Sequence, residues 1–518
     1  MVLHAPMLVL GAAVDSGDAG FEIKVFEVTG NSIFDSGTLR GEVAPFTGTG
    51  KTSNDVEKAR DAIEKFYHDA GYPAVLVNIP EQTLKDGVVQ LEVIESTIGR
   101  LKITGNRYYT MEKIKRELPS LGPGQILYLP EVQKEIGRLN RGQDLKGEPG
   151  MSPGKEIGTI DVDLKVEDHL PLHGYLEINN RASHDTKPLR LNAMARYDNL
   201  WQKDHSVSIQ YQTAPESPRQ VEVMSASYVL PAPWDKDHQL ALYGIVSDSN
   251  TAFGEGFQVV GKGEILGVRD VIPLPSYKLY THNITIGFDY KHFHQAIGFT
   301  TTSGETTHTP ISYTPLSFSY SASLPDEWGG TTQFSTGLNM SFRGIGSKER
   351  EFENKRFKGM ANYLYATAGI QRTQKMPFGI SLFAKVDGQI SDQPLIDNEQ
   401  YTAGGMESVR GYMESEAAGD NSLHGTLEVV FPDPLDKLKI GRWFQASPYL
   451  FYDFAGLRIK DPLPGQQSSI RLDGAGAGVR GSITKNAEYE LDWAMALHST
   501  DQTKRYDQMV HFKVKALL

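Results

Sequence analysis

The sequence predicts an α+β repeat followed by an all-β transmembrane barrel of about 16 antiparallel strands. Two observations predict this architecture. Strands and helices alternate from residue 21 to about residue 167, in an order that recurs once along the chain. From residue 171 to residue 518, long strands with one apolar face follow one another with almost no helical pattern. We therefore expect a soluble front end joined to a membrane barrel.

The composition narrows the class of protein. Apolar residues make up 39% of the 518 residues and the mean hydropathy is −0.37, which suits strands that present only one face to lipid. No run of about 18 apolar residues occurs, so a helical membrane protein is not expected. A net charge of −12 argues against a nucleic-acid partner. The chain has no cysteine, which excludes disulfides, thiolate metal ligands and cysteine nucleophiles.

The first 20 residues stand apart from the repeat. An apolar run from Met7 to Val14 resembles the central region of a signal peptide, although no Lys or Arg precedes it. We interpret residues 1–20 as a signal-peptide remnant, with a disordered tail as the alternative.

The first αβ module is predicted over residues 21–96. Its first strand, residues 21–28, alternates at period two and ends at the turn Gly30–Asn31. The remaining predicted elements are a helix from residue 54 to Gly71 and strands at 74–79 and 88–94.

The second module, residues 97–167, repeats this order about 75 residues later. Residues 101–106 (LKITGN) match residues 26–31 (FEVTGN), so Gly105 and Asn106 take the positions of Gly30 and Asn31. Its other predicted elements are helices at 111–118 and 130–139 and a strand at 157–166. Two unrelated small modules are the alternative to a repeated unit.

Residues 171–518 carry strict alternation over about ten residues at a time. Between residues 487 and 497, for example, Leu491 and Trp493 face one way whereas Glu490 and Asp492 face the other. A soluble sandwich would turn its polar face outward, but this region is longer than a normal sandwich and has aromatic residues near strand ends. We count roughly sixteen strands, enough to close a barrel around an aqueous lumen.

Motifs that would indicate an enzyme are weak. Gly48–Thr52 resembles the end of a phosphate-binding loop, but Pro45 stands where the first glycine is needed, so we interpret it as a loop between helices. His292 and His294 lie two apart on one strand without a third metal ligand nearby. No Gly-x-Ser-x-Gly sequence occurs. We predict no catalytic residue, no metal site and no cofactor.

A long segment, residues 392–421, separates two clear strands and contains Val409, Arg410, Gly411 and Tyr412. A loop of about 30 residues in a barrel is typically functional or folded inward. Gly411 allows a close approach of the backbone, and Arg410 needs an anionic partner.

Two carboxylates are candidate partners of Arg410. Leu450, Tyr452 and Phe454 form the apolar face of their strand, so Asp453 points into the lumen. Glu428 is the second candidate by the same alternation. An inward-folded loop would be fixed there by a charge-assisted, bidentate bond. The alternative is that both carboxylates are solvated lumen residues, and the spacing alone leaves the two open.

These residues resemble two-partner secretion transporters. This TpsB class is also called haemolysin activation/secretion proteins of the ShlB/FhaC/HecB type, and its superfamily includes the barrel-assembly factor. The resemblance extends over residues 21–518 and rests on the loop motif, the Phe451–Asp453 strand and the two Gly–Asn turns. It implies two periplasmic POTRA domains, at 21–96 and 97–167. It also implies a 16-stranded barrel at 171–518 with its long loop folded inward and Arg410 against Asp453.

The resemblance also implies a function. The POTRA domains of such transporters capture an unfolded TpsA exoprotein, an adhesin or a haemolysin for example, and the barrel passes it outward without ATP. We expect a monomeric barrel among the lipids of a bacterial outer membrane, with its POTRA domains in the periplasm, no nucleic-acid partner and capture by β-augmentation. An outer-membrane assembly or insertion factor is the alternative, but such factors usually carry more than two POTRA domains. A passive porin lacks such modules.

The sequence departs from the family pattern in three places. Ala455 stands where the strand motif usually has glycine, and the chain ends in Leu517–Leu518 rather than an aromatic residue. Residues 1–20 leave no room for the plug helix that many members carry, so we expect gating to depend mainly on the long loop.

Overall fold

The computed structural model describes residues 20–184, 186–248, 251–253, 257–259, 262–294, 296–298, 306–435 and 443–518. The signal-peptide interpretation of the N-terminus lies outside these residues, except for Gly20. The chain divides between residues 171 and 172 into two compact units. No helix among the described residues is long and apolar enough to cross a membrane.

The first module of the N-terminal unit contains two small sheets. Val25–Thr29 pairs in parallel with Val88–Ile94, which also pairs antiparallel with Leu76–Asn78. Phe21–Ile23 pairs with Gly48–Lys51 instead. The prediction of one strand over residues 21–28 was therefore wrong, because the chain changes sheet at Lys24. The interpretation of Gly48–Thr52 as a loop was also wrong, since most of it is a strand.

The helices of this module are Ser36–Val43 and Ser53–Asp69. The second helix begins where Asp55 accepts a hydrogen bond from the backbone N–H of Thr52, 2.9 Å away. Its buried residues recur at helical spacing and pack on the sheet as Val56, Ala59, Ile63 and Tyr67.

The second module has a three-stranded sheet. Thr159–Asp168 lies in the centre, parallel to Thr97–Thr104 and antiparallel to Leu145–Pro153. Its helices are Met111–Glu117 and Leu129–Leu139. The strand Leu145–Pro153 was not predicted because Pro149 and two glycines interrupt its pattern. It lies at the sheet edge, where proline is tolerated.

The two Gly–Asn turns have the same geometry. Gly30 and Gly105 have φ angles of 77° and 95°, a region that favours glycine. A Cβ atom at Gly30 would overlap the carbonyl oxygen of Val93, and one at Gly105 would overlap that of Val166. The side-chain amides of Asn31 and Asn106 each donate to a carbonyl three residues further on, at 2.8 and 2.9 Å. The repeat therefore extends from sequence to backbone contacts.

A carboxylate at the end of the neighbouring strand completes each turn. Glu95 accepts hydrogen bonds from the backbone N–H groups of the two residues after Asn31, at 2.8 and 2.9 Å. Asp168 accepts them from the three residues after Asn106, at 2.6 to 2.9 Å. In both modules, a carboxylate that accepts hydrogen bonds from backbone N–H groups therefore holds the turn against the sheet.

The C-terminal unit is a closed antiparallel barrel, in which the described residues form sixteen strands, as predicted. The eighth strand is interrupted: its two segments, Ile311–Tyr313 and Leu316–Pro325, both pair with Thr281–Phe293. The first strand closes the barrel against the last. The bounds in chain order are Leu172–Asn179, Arg190–Leu200, His205–Thr213, Glu222–Pro231, Gln239–Asp248, Lys262–Pro273, Thr281–Phe293, Ile311–Tyr313 with Leu316–Pro325, Gly330–Ser341, Tyr363–Lys375, Ser381–Ser391, Asn421–Val430, Ser447–Arg458, Ser469–Ile483, Ala487–Ala496 and Gln508–Leu517.

The burial of the barrel strands is the reverse of that in a soluble protein. Leu423, Leu427 and Trp493 point outward and are exposed by 53%, 51% and 46%, whereas the intervening Glu428 and Asp492 are buried. An apolar exterior with charged groups inside is the arrangement of a membrane barrel.

The loops between barrel strands carry short elements of their own. The helix Glu349–Lys355 was not predicted; its Phe352 is buried against Tyr313 and Tyr363. The short paired strands are Thr251–Phe253 with Phe257–Val259, Ala296–Gly298 with Thr306–His308, and Tyr401–Ala403 with Ala417–Gly419.

Candidate functional site

The loop between Ser381–Ser391 and Asn421–Val430 folds into the barrel. It contains a short 3-10 turn, Asp397–Glu399, and the hairpin Tyr401–Ala403 with Ala417–Gly419. At its tip, Val409 and Tyr412 are fully buried. The segment predicted from the sequence, residues 392–421, therefore coincides with a loop whose tip is enclosed by the barrel wall.

Arg410 binds two carboxylates of that wall. Its Nε and Nη2 atoms donate to the two oxygens of Asp453 at 2.7 and 2.9 Å, a bidentate pair. Its Nη1 atom donates to Glu428 at 2.9 Å, and its backbone N–H also reaches Asp453 at 3.2 Å. All three residues are at most 5% exposed. The structure thus brings together the three residues that the sequence singled out.

Further partners of Arg410 were not identified from the sequence. Asp492 lies 3.6 Å from Nη1, and the guanidinium stacks 3.5 Å from the ring centroid of Phe451. Arg480 also pairs with Glu428, at 3.0 Å. The alternation between Leu491 and Trp493 placed Asp492 in the lumen, but alternation does not give the height at which a residue meets the loop.

Gly411 brings the loop backbone against the wall. Its φ of 97° is strained for other residues, and a Cβ atom there would lie 2.9 Å from the backbone nitrogen of Ala496. Its N–H donates to Nε2 of His511 at 3.2 Å. On the facing strand, a Cβ atom at Gly474 would overlap the carbonyl oxygen of Arg410. Two glycines therefore permit the close approach.

Val409 and Tyr412 anchor the tip by burial. They belong to one apolar cluster with Ala455 and other wall residues. The hydroxyl of Tyr412 donates to the carbonyl oxygen of His498 at 2.8 Å. Ala455, where the family pattern has glycine, is 1% exposed within this cluster. The departure is accommodated because its methyl group packs against the loop.

The flanks of the loop are tied to the barrel as well. Arg181, in the first loop after the first strand, pairs with Glu414 at 2.9 Å and with Glu407 at 2.5 Å. At the base of the long loop, Glu399 accepts hydrogen bonds from Tyr313 and Lys291, each at 2.6 Å. Sequence reasoning missed both contacts because their partners lie 86 or more residues apart.

We call Arg410 and its carboxylate partners Asp453, Glu428 and Asp492 the latch, because they hold the loop tip against the barrel wall. Arg410 and its three carboxylate partners are at most 5% exposed. Removing one member of such a group leaves an uncompensated buried charge. The histidine pair lies at the end of a different strand: Nδ1 of His292 is 2.7 Å from the Ser312 hydroxyl, and its ring contacts that of His294.

The fold and the loop together define a class of outer-membrane proteins: a barrel with an apolar exterior and a loop folded into its lumen, preceded in the sequence by αβ modules. Residues 21–96 match the family model of the POTRA domain, ShlB-type. Residues 158–481 match that of the haemolysin secretion/activation protein ShlB/FhaC/HecB. The chain belongs to this ShlB/FhaC/HecB family, the TpsB transporters. It lies in the outer membrane, with the POTRA region in the periplasm.

Named relatives support the same assignment. The outer membrane transporter CdiB of Dickeya dadantii (strain 3937) is 23% identical over 373 residues, covering 70% of this chain and 63% of that protein. The heme/hemopexin transporter protein HuxB of Haemophilus influenzae (strain Rd) is 18% identical over 482 residues, covering 87% and 78%. The match thus spans less than two thirds of that CdiB.

Solved structures share the fold. CdiB from Escherichia coli superimposes with a TM-score of 0.68 at 17% identity, covering 99% of this chain and 94% of that one. BamA from Haemophilus ducreyi lacking POTRA domains 1–3 has a TM-score of 0.56 at 15% identity, covering 96% and 100%.

Proposed function

We propose that this protein exports one unfolded TpsA-type exoprotein, such as an adhesin or a haemolysin, through its barrel without ATP. The single observation that carries the proposal is the loop tip latched in the lumen by Arg410, Asp453 and Glu428. A passive porin needs no buried latch, whereas a protein conduit must close when no cargo is present. The energy to move the cargo would come from its folding outside the cell.

Capture belongs to the periplasmic modules in this proposal. Leu76–Asn78 is an edge strand that, among the described residues, pairs only with Val88–Ile94. Its Leu76 is 54% exposed. An extended cargo segment can add to such an edge by main-chain hydrogen bonds and cover the apolar side chain. We propose this edge as the first contact with the exoprotein.

The second module, residues 97–167, is proposed to be a second POTRA domain. Support comes from the shared turn of Gly30 and Gly105 and from the matching carboxylates Glu95 and Asp168. A closed barrel leaves no strand edge for a neighbour, so we also propose that the chain acts as a monomer among outer-membrane lipids.

The test pairs this chain with the secreted protein whose gene adjoins its own, and we expect that gene to encode a large, β-rich exoprotein. Cells producing both should release the exoprotein into the medium. Deleting residues 21–96 should leave the barrel in the outer membrane and stop release. Export that proceeds normally without this module would refute capture by it.

An outer-membrane assembly or insertion factor is the second candidate, favoured by the shared fold with BamA. Depleting the chain distinguishes the two. A transporter's loss removes one exoprotein from the medium, whereas an assembly factor's loss lowers many barrel proteins in the outer membrane.

A further inference from the structure

Part of the inward face of four neighbouring strands is uncharged, and on the first of these strands charge begins at Asp289 and Lys291. The four strands are Thr281–Phe293, Leu316–Pro325, Gly330–Ser341 and Tyr363–Lys375, paired in this order. The alternate positions within 281–287, 317–323, 333–339 and 365–371 are Ser, Thr, Asn, Gln and Gly, with a single Tyr. We call these sixteen positions the neutral wall.

The residues between these positions show that the neutral wall faces the lumen. Phe288, Phe318, Phe334 and Ile370 alternate with it and are large apolar side chains exposed by 41% to 51% on the barrel exterior. Because successive side chains of a strand point to opposite faces, the neutral wall lies inside.

The absence of charge is unexpected from composition. Charged residues are 22% of the chain, so sixteen positions would carry about three or four of them. One register row runs through Ser323, Gln333 and Gln371 and then reaches Lys385 on the next strand. A second row passes through Ser335 and Gly369 and then reaches Asp387 on the next strand. Charge therefore begins at the edge of the neutral wall.

The long loop covers the charged side of the lumen. Tyr401 donates to Asp387 at 2.7 Å, and Arg410 pairs with Asp453 further round the barrel. Most positions of the neutral wall are half-buried or exposed, with Gln333 and Ser335 exposed. The loop reaches the wall at one end, where Tyr365 donates to Glu399 at 2.9 Å. A cavity of about 730 Å³ lies against it, lined by Asn283, Ser321 and Gln371 among others. This cavity thus lies along the uncharged surface and reaches Lys385 and Asp387 at its edge.

We propose that the exported polypeptide passes along the neutral wall as an extended chain. Hydroxyl and amide groups donate to and accept from the main chain of any sequence. Passage requires contacts that are favourable enough to enter but weak enough to leave, and a fixed charge would retain segments of opposite sign. This inference rests on the proposed function and adds which side of the lumen the cargo contacts.

The experiment uses the absence of cysteine in the chain. The full-length protein with Ser323→Cys is reconstituted in planar bilayers and treated with a negatively charged methanethiosulfonate. The matched control is Thr426→Cys. Thr426 lies in the same register row, two strands past Gln371, and pairs with Asp453 beneath the loop tip. The probe is a synthetic uncharged peptide of Gly, Ser and Asn, about 20 residues long and hence able to span the barrel when extended.

We expect the reagent on Ser323→Cys to shift the reversal potential towards cation selectivity and to reduce the frequency of current blocks by the peptide. The same reagent on Thr426→Cys should leave both close to the unmodified values. Peptide blocks that are lost at Thr426 and retained at Ser323 would overturn the proposal, as would equal effects at both. The recordings could differ between the two variants as expected while cells with the unmodified protein release no exoprotein. That result would count against the proposed function alone.

Discussion

The coupling between Arg410 and Asp453 gives the sharpest prediction about the latch. Arg410→Ala removes the guanidinium that Asp453 and Asp492 share in a buried site, whereas Glu428 keeps its pair with Arg480. Removing one partner of a buried pair costs about 3–5 kcal/mol. At about 1.4 kcal/mol per factor of ten, the opening equilibrium of the loop tip should rise between about 100-fold and several thousand-fold.

Hydrogen exchange at the Gly411 amide measures this opening, because that N–H donates to His511 in the closed loop. The cycle compares Arg410→Ala, Asp453→Ala and the double variant in detergent. We expect the double variant to be less perturbed than the sum of the single ones, by about 0.5–3 kcal/mol. The control is Arg471→Ala, which removes an Arg–Asp pair whose arginine is 64% exposed. Asp473 keeps the Tyr452 hydroxyl at 2.6 Å and His498 at 2.8 Å, so this variant should change opening much less than Arg410→Ala.

Additivity of the two single variants would refute direct coupling. So would full protection of the Gly411 amide in Arg410→Ala, since the latch would then hold without its arginine.

Three further predictions concern the backbone and the modules. Gly411→Ala should lower the free energy of opening the loop tip by about 1–3 kcal/mol, because residue 411 has a positive φ and lies close to the Ala496 nitrogen. The rate of protease cleavage near residue 411 measures this change, and resistance equal to that of the wild type would contradict it. Gly105→Ala should increase amide hydrogen exchange in the second module, since its Cβ would overlap the carbonyl oxygen of Val166. Unchanged hydrogen exchange would show that the turn is not rigid. Burial raises the pKa of the Glu95 carboxyl, but hydrogen bonds from Ser32 and neighbouring groups outweigh it and hold this pKa below the usual 4.5. A carboxyl with a lowered folded pKa stabilises the fold above about pH 4.5 and loses this contribution as the pH falls through the folded value. Exchange in the first module, corrected for intrinsic rates, should therefore rise below about pH 4.5 in the wild type and change less with pH in Glu95→Gln; identical pH profiles would contradict the assignment.

Alternation made the barrel predictable from the sequence. Each strand has to expose apolar groups to lipid and polar groups to the lumen, so a run such as 487–496 fixes both its structure and its inward residues. The same rule placed Asp453 and Glu428 in the lumen before any contact was known. It could not decide whether they were solvated, because that depends on where the loop ends.

Long-range pairing was the part that the sequence did not disclose. Phe21–Ile23 and Val25–Thr29 form one alternating pattern, and only their partners assign them to different sheets. Leu145–Pro153 lacks the strand pattern and is held in place by its neighbour. Glu399 gave no signal either, because its tyrosine and lysine partners come from other strands.

Export by the Arg410→Ala variant tests the central claim most directly. Cells carry the chain and its exoprotein, and the exoprotein in the medium is measured together with the amount of barrel in the outer membrane. We predict a normal amount of barrel with loss of the exoprotein from the medium, and unchanged export for Arg471→Ala. Normal export by Arg410→Ala would contradict the account, because the latched loop would then have no part in transport.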